Sequence, residues 1–413
     1  MTPGAVAGAG AAGSLAGRRI VLGVSGSIAA YKAVEVCRRL VDAGAHVVPV
    51  LTEESLRFVG EVTFTALASE PARTSLWQPL AGSGAIAHTN LGQRADLILV
   101  APATARVIGS YAGGLADDLL TATLLASRAP VVVCPAMHTE MWEHPAVRDN
   151  VAMLRRRGVV VVEPEAGRLA GGDVGAGRLA EPAAIVAAAA RALGPGDLTG
   201  VRVLVTAGGT REPIDAVRVV TNRSSGKQGY AIAAEALSRG ASVTLVTTVD
   251  RPAPPGAEVV RVSSAADMEA AVVPRAAGCD VVVMAAAVAD FRPKAPADRK
   301  LRKDDGVPEI VLEPTHDFLV DLGRAKRPGQ VLVGFAAETD DLRANAESKL
   351  RRKRLDLIVA NDVSHPQAGF DQDTNEAVLL YPDGRAQEIP LSDKRVVAAA
   401  VIDAVVSILR STE

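Results

Sequence analysis

The sequence predicts an α/β fold used twice, in two domains whose sheets are mainly parallel and covered by helices. Three observations carry this. In RRIVLGVSGSIAAYKAVEVCRRLVDAGAHVVPVLT (18–52) a strand, a tight Gly/Ser turn, an amphipathic helix ending near glycine and a second strand follow one another, which is a βαβ unit. The same scheme returns in VRVLVTAGG, YAIAAEALSRG and ASVTLVTT from Val201 onward. The runs ADLILVAPAT (95–104) and CDVVVMAAAVAD (279–290) hold Val, Ile and Leu without polar alternation, as strands buried on both faces do.

Two Rossmann-like domains follow, 18–194 and 201–413. A linker is expected at 195–200, where Pro195 and the glycines of LGPGDLTG end an Ala-rich helix. Residues 1–17 are expected to form a disordered tail. No basic residue precedes their small-residue run, and their glycines are unlike an apolar signal core.

A chain of 413 residues with 48% hydrophobic residues is long enough for two cores. With 3% aromatic residues and a net charge of −2, it offers neither stacking platforms for nucleic acid nor a field for an anionic membrane. Cys37, Cys134 and Cys279 lie far apart, without the spacing of a zinc site. That usage fits a reducing cytoplasm. The apolar helical stretch AAIVAAAARAL (183–193) is too short to span a bilayer, so the partners expected are small molecules, with no nucleic acid and no membrane.

Three clusters in the first half could do chemistry. In GVSGSIAAYK (23–32) a strand runs into small residues and then a helix. Backbone N–H groups, the helix dipole and serine hydroxyls there suit a phosphate, although the contiguous GxGxxG spacing is absent and an ordinary turn would read alike. APATARVIGSYAGGLADDLL (101–120) follows a buried strand directly, where ligands of parallel sheets bind. His88 precedes that strand. VVVCPAMHTEMW (131–142) is a third strand breaking at proline, in which Met137, Met141 and Trp142 read equally as core. A glycine-rich stretch, EAGRLAGGDVGAGRLAEP (165–182), reads as linker, phosphate loop or lid.

In this order, GVSGSIAAYK, the His88 segment, APAT with ADDLL, the PAM…MW motif and GDVGAGRL resemble the homo-oligomeric flavin-containing cysteine decarboxylases, whose members include phosphopantothenoylcysteine decarboxylases. The resemblance implies a flavodoxin-like FMN-binding domain. Gly26, Ser27 and Ile28 would hold the FMN phosphate, and Thr52 with Ala101, Pro102, Ala103 and Thr104 would line the flavin. His88 would be the active-site base, and Met137 and Met141 would position substrate. In that family the substrate thiol is oxidised to a thioaldehyde, which accepts the electrons released with CO₂. The glycine-rich stretch would be a hinged flap, with Gly171, Gly172 and Asp173 at its tip. Two positions depart from the pattern. His138 stands where the family has asparagine, and Gly171 stands where the family has its proton-donating cysteine, which leaves His138 or water as the substitute donor.

In the second half, TAGGTREPIDAVRVVTNRSSGKQG (206–229) lacks the first glycine and the Ser/Thr of a Walker motif, which disfavours a P-loop NTPase. Basic and polar strings follow in AAAVADFRP, DRKLRK, HDFLVDLG, GFAAET, SKLRRKRLD and ANDV, next to loops where triphosphate charge would need them. VRVVTNRSSGKQG, AAVADFRP and GFAAET are similar to the bacterial, CTP-using phosphopantothenate–cysteine ligases. By that resemblance Lys300 would neutralise charge on the transferring phosphate, and Asn222 and Arg218 would serve the acyl-cytidylate. Asp290, His316, Asp317, Phe318, Leu319, Phe335, Lys349 and Lys353 would contact CTP, accompanied by Mg²⁺ with unknown protein ligands. The fusion in this order resembles the bifunctional bacterial enzymes of coenzyme A biosynthesis, and implies a homo-oligomer that reaches a dodecamer. The competing readings are a two-domain NAD(P) oxidoreductase, an inactive or altered flavin domain beside a ligase, and a flavin-binding regulatory protein.

Overall fold

The computed structural model describes residues 15–77, 86–169, 171–172, 174–302, 309–338, 342–362 and 372–412. It divides into two units, Met1–Gly196 and Asp197–Glu413.

In the first unit, β1 (Arg19–Val24), β2 (His46–Leu51), β3 (Leu97–Ala103), β4 (Val131–Pro135) and β5 (Val160–Val161) form a sheet in the order β2-β1-β3-β4-β5. All four pairings are parallel. This order is the flavodoxin-like one, with its topological switch point between β1 and β3. Strand alternation feeds two cores. Ile20, Leu22 and Val24 join Leu97 and Leu99 beneath the helices Ala30–Asp42 and Pro182–Leu193. Val21, Ile98 and Val100 face the helices Ala87–Arg94, Ala105–Gly113, Leu119–Leu125 and Pro145–Arg156. Every residue of β3 is buried, which is why its sequence shows no alternation.

The glycine-rich stretch is a two-stranded antiparallel hairpin, β6 (Glu165–Arg168) with β7 (Val174–Arg178). The tail expected over 1–17 stops short of Gly17. Leu15 is fully buried in the first core, and the Gly17 N–H donates to Gly44 O at 2.9 Å.

The second unit has eight strands in the order β12-β11-β8-β13-β16-β17-β18-β19. These are β8 (Arg202–Ala207), β11 (Ser242–Thr247), β12 (Glu258–Arg261), β13 (Val281–Met284), β16 (Val331–Glu338), β17 (Leu357–Asp362), β18 (Thr374–Leu380) and β19 (Ala386–Asp393). The first six are parallel, in the 3-2-1-4-5-6 order of a dinucleotide-binding fold, and the last two run antiparallel. Two small hairpins stand outside the sheet: β9 (Arg211–Pro213) with β10 (Val219–Thr221), and β14 (Phe291–Pro293) with β15 (Leu312–Pro314).

The expected linker, 195–200, is shorter than its composition suggests. Leu198 is fully buried in the second unit's core, and Asp197 pairs with Arg239 at 2.6 Å. Those two residues belong to the second fold because one fills its core and the other satisfies a guanidinium that is only 8% exposed.

Candidate active sites of the two units

In the first unit the residues expected around FMN come together at the switch point. Gly26, Ser27 and Ile28 form the turn after β1, Thr52 ends β2, and Ala101–Thr104 end β3. Ser25 ties two of these ends: its Oγ donates to Pro102 O at 2.8 Å and accepts from the Thr104 N–H at 3.0 Å. The sequence displayed Ser25 within the turn, but nothing in its spacing revealed this buried link. Gly26 is required by space, since a Cβ there would overlap the Glu54 side chain. The Ala29 N–H donates to Ser27 Oγ at 3.2 Å and the Ala30 N–H to Ser27 O at 2.9 Å, which winds the turn into the following 13-residue helix and sets that helix's positive end beside Gly26 and Ser27.

Among the buried polar atoms without partners, Thr52 Oγ1 stands directly after β2, Thr139 Oγ1 opens the short helix Thr139–Glu143, and His88 Nδ1 lies in the first turn of the helix Ala87–Arg94. Orphaned polar atoms are uncommon in native structures, and each is a donor or acceptor held ready for a ligand. That helix precedes β3 and runs back along it, which carries His88 to the carboxyl edge of the sheet. The residues present therefore fit a flavin with its polar ring edge at the strand ends.

His138 is the N-cap of the short helix Thr139–Glu143, and its Nδ1 lies 2.9 Å from Glu140 Oε2. This bond holds the Glu140 carboxyl below the usual carboxylate range. Met141 is 48% exposed and open to a ligand. The Met137 N–H donates to Gly177 O at 3.0 Å, which fastens the hairpin to the PAMH loop.

Here the expectation of glycine hinges needs correction. A Cβ at Gly177, whose φ is 147°, would overlap the Met137 carbonyl, and one at Gly175 would overlap Thr139. These glycines are demanded by close packing at the hairpin base. At the exposed tip Gly172 is free of such contacts, and Asp173 lies outside the described residues. Cys37 and Cys134 are both buried in this unit's first core. Burial pushes the Cys37 thiol up to about 11 and Cys134 higher still.

In the second unit a cleft of ≈ 640 Å³ opens at the strand ends between Ser224–Gly229, Ala285–Ala287 and Phe335, with Asn361, Asn375 and Lys394 closing it. Its glycines reassemble in space what the sequence lacks in line. Gly208 (φ 92°) makes the tight turn after β8. Gly226 (φ 73°) packs against the Gly208 backbone at the start of the helix Lys227–Ser238. Gly229 lets that helix touch β8, since a Cβ there would lie 2.7 Å from Thr206 O. Turn, close approach and helix–strand packing are the three glycine roles of a dinucleotide fingerprint, here split by residues 210–225. The sequence displayed SSGKQG, but the intervening chain hid its role.

Phe335 is the one expected CTP contact that lines the cleft. Asn222 donates its amide to Ala287 O at 3.2 Å and Val288 O at 3.3 Å, beside the cleft wall. Lys353 pairs with Asp317 at 2.8 Å, and His316 bridges Glu269 at 2.8 Å and Asp321 at 3.0 Å. Those carboxylates, Glu269 first, raise the His316 imidazole above its ordinary range. The Phe318 side chain is 2% exposed and packed in a core, so only its backbone is available to a ligand. Leu319 packs partly buried against the same core, Asp290 and Lys300 are exposed, and Lys349 lies on the helix Leu342–Arg352. Among the described residues no group of three His, Cys, Asp or Glu side chains could hold a metal, and no helix is long and apolar enough to cross a membrane.

Comparison with known proteins bears directly on these two sites. Residues 11–194 match the family model described as flavoprotein, and residues 198–409 match the C-terminal domain of DNA/pantothenate metabolism flavoproteins. The chain is 50% identical over 409 residues to the coenzyme A biosynthesis bifunctional protein CoaBC of Mycobacterium tuberculosis, covering 95% of this chain and 97% of that one. The chain belongs to this family. The proteins of the same description from Mycolicibacterium smegmatis and Bacillus subtilis are 47% and 45% identical, each over 96% of this chain and at least 98% of theirs. As a member of the CoaBC family the chain is a bifunctional enzyme of coenzyme A biosynthesis, a phosphopantothenate–cysteine ligase and a phosphopantothenoylcysteine decarboxylase.

Proposed function

We propose that the second unit makes phosphopantothenoylcysteine with CTP and that the first unit decarboxylates it at the β1/β3 switch point. For the ligase, the split-fingerprint cleft is the observation that carries the reading. The helix start at Gly226–Gln228, which no side chain caps, suits a triphosphate, and so do Lys227 and Lys394, whose ammonium groups would exchange Asp373 and Gln372 O, at 2.8 and 2.6 Å, for phosphate oxygens. A carboxylate oxygen of phosphopantothenate bonds to the α-phosphorus and pyrophosphate leaves. The cysteine nitrogen then bonds to the acyl carbon, CMP leaves, and the amine loses its proton. Lys300 neutralises charge on the transferring phosphate, and Asn222 and Arg218 hold the acyl group. Mg²⁺ would accompany the triphosphate and offset its charge.

For the decarboxylase, Gly26, Ser27 and Ile28 at the helix start would hold the phosphate of FMN, and Thr52 and Thr104 would border its ring. FMN would supply reversible two-electron redox chemistry next to the substrate thiol. His88 accepts the thiol proton, and its Nδ1, which is buried without a hydrogen-bond partner, is the nitrogen left to do so. His138, held by its bond to Glu140, orients the substrate carboxylate and then returns a proton to carbon. This gives the site a donor although the hairpin tip carries Gly171. The protein acts in the cytoplasm as a homo-oligomer, with a dodecamer the assembly proposed.

The test is incubation of the purified protein with phosphopantothenate, cysteine, CTP and Mg²⁺, with mass detection. Phosphopantetheine, CO₂ and CMP in equal amounts are expected. Phosphopantothenoylcysteine accumulating without CO₂ would refute the decarboxylase assignment, and absence of CMP would refute the ligase.

A further inference from the structure

Two segments far apart in the chain meet on one carboxylate in the second unit. The Asp215 side chain is fully buried. Its Oδ1 accepts from the Val217 N–H at 2.8 Å and the Arg218 N–H at 2.7 Å. Its Oδ2 accepts from Arg218 Nη1 at 2.7 Å and from the Leu301 N–H at 3.1 Å. The same Arg218 nitrogen donates to Leu301 O at 3.1 Å, and the Ala297 N–H donates to Ile214 O at 2.9 Å. Four donors satisfy both oxygens, and three of the six links reach across to the segment that carries Lys300. Burial pushes the Asp215 carboxyl up, but the three backbone N–H groups and Arg218 outweigh it and hold it below its ordinary value of 3.8.

A turn needing only local order would be complete with the Val217 and Arg218 N–H bonds, which form an Asx turn. The second oxygen does something else: it fixes the guanidinium of Arg218 and the backbone beside Lys300 in one arrangement. We propose that Asp215 is a positioning residue of the ligase, which sets Arg218 and the Lys300 segment together so that the acyl group and its phosphate are engaged at once. The inference rests on the ligase reading of Arg218 and Lys300. It adds a residue that touches neither substrate and acts through both.

Asp215→Asn separates the two functions of the carboxylate. Its amide oxygen can still accept from Val217 and Arg218, while its NH₂ faces the Arg218 guanidinium and the Leu301 N–H, which are both donors. In the full-length holoenzyme the expected result is a thermal midpoint within a few degrees of wild type and an unchanged KM for CTP. CMP release per folded molecule should fall about a hundredfold, and pyrophosphate exchange into CTP should fall in parallel, because orientation is lost at the reacting centre. Asp215→Glu keeps the charge at the wrong length and should lose about tenfold in kcat at constant KM for CTP. A merely structural residue would lower the folded fraction and leave kcat per folded molecule alone. Wild-type kcat per folded molecule in these variants overturns the proposal; if Asp215→Asn fails to fold, Asp215→Glu decides by the same criterion. Lys300→Ala and Arg218→Ala run alongside. If they lose activity while the Asp215 variants do not, the positioning role fails and the ligase reading stands. If they retain wild-type turnover, the ligase reading fails.

Discussion

At the scale of single residues, the first site depends on where protons can be held. His138 has a carboxylate partner at 2.9 Å and so can carry a charge that an asparagine could not. His138→Ala is expected to lower CO₂ release about 100-fold, the usual loss for one positioned acid, with the flavin absorption spectrum and CMP release unchanged. Equal CO₂ release by variant and wild type would remove His138 from the mechanism. The residue types at this site were legible in the sequence because they sit directly after hydrophobic strands. Their pairings were not. Nothing in PAMHTEMW shows that Glu140 turns back onto His138, or that Thr139 meets Gly175 across a gap only glycine permits. Asp215 is a stronger case, since its partner Leu301 lies 86 positions away and only the fold brings them together.

At the scale of elements, the helix Lys227–Ser238 and the β6–β7 hairpin are both placed by glycines that admit a neighbouring backbone. Gly229→Ala would push the helix off β8, because its Cβ would stand 2.7 Å from both Thr206 O and the Ala207 Cβ. The expected result is a KM for CTP raised about tenfold or more, equivalent to roughly 1.4 kcal/mol of lost binding, with FMN content unaltered. Steady-state kinetics at varied CTP checks this, and an unchanged KM would mean the phosphates lie elsewhere. Gly177→Ala in the hairpin meets the Met137 carbonyl at a backbone angle that L residues seldom adopt. It should cost roughly 1–3 kcal/mol of local strain and depress decarboxylation while the ligase is spared, measured as CO₂ against CMP from one reaction. Strands and helices of both units were readable from period and composition, since both sheets are buried on two faces. The hairpin was read as a hinged lid because glycine content alone does not distinguish freedom from crowding.

At the scale of the molecule, each unit carries its own pair of cores on either side of its own sheet, and the boundary at Asp197 has an energetic meaning. Arg239 is 8% exposed and joins Asp197 at 2.6 Å and Asp403 at 2.5 Å. Its bonds, that to Asp197 first, raise the guanidinium further above its already high range and hold the Asp197 carboxyl below 3.8. A fragment that begins at Asp197 should therefore be more stable than one that begins at Val201, by about 1.5–3 kcal/mol, the worth of hydrogen bonds between charged groups, since Arg239 keeps Asp403 in both, before the loss of Leu198 is added. Denaturant unfolding of the two fragments measures it. The folded-state pKa of Asp197 lies below its unfolded value, so the pair's contribution is complete above about pH 4 and drains away as the pH falls below it. The longer fragment's advantage should shrink in acid by that route, and an advantage constant to pH 2 would show that the pair is not its source. One further consequence belongs to the interrupted glycine turn. Because Gly208 and Gly226 touch, the excursion between them leaves and re-enters the scaffold at a single point, as a graft does. The cradle for the nucleotide and the groups that act on the acid thus lie on neighbouring but separate stretches: Ser224–Gly229 line the cleft, while Arg218 and Asn222 stand earlier in the excursion, and a search for a continuous glycine pattern will pass over a protein built this way.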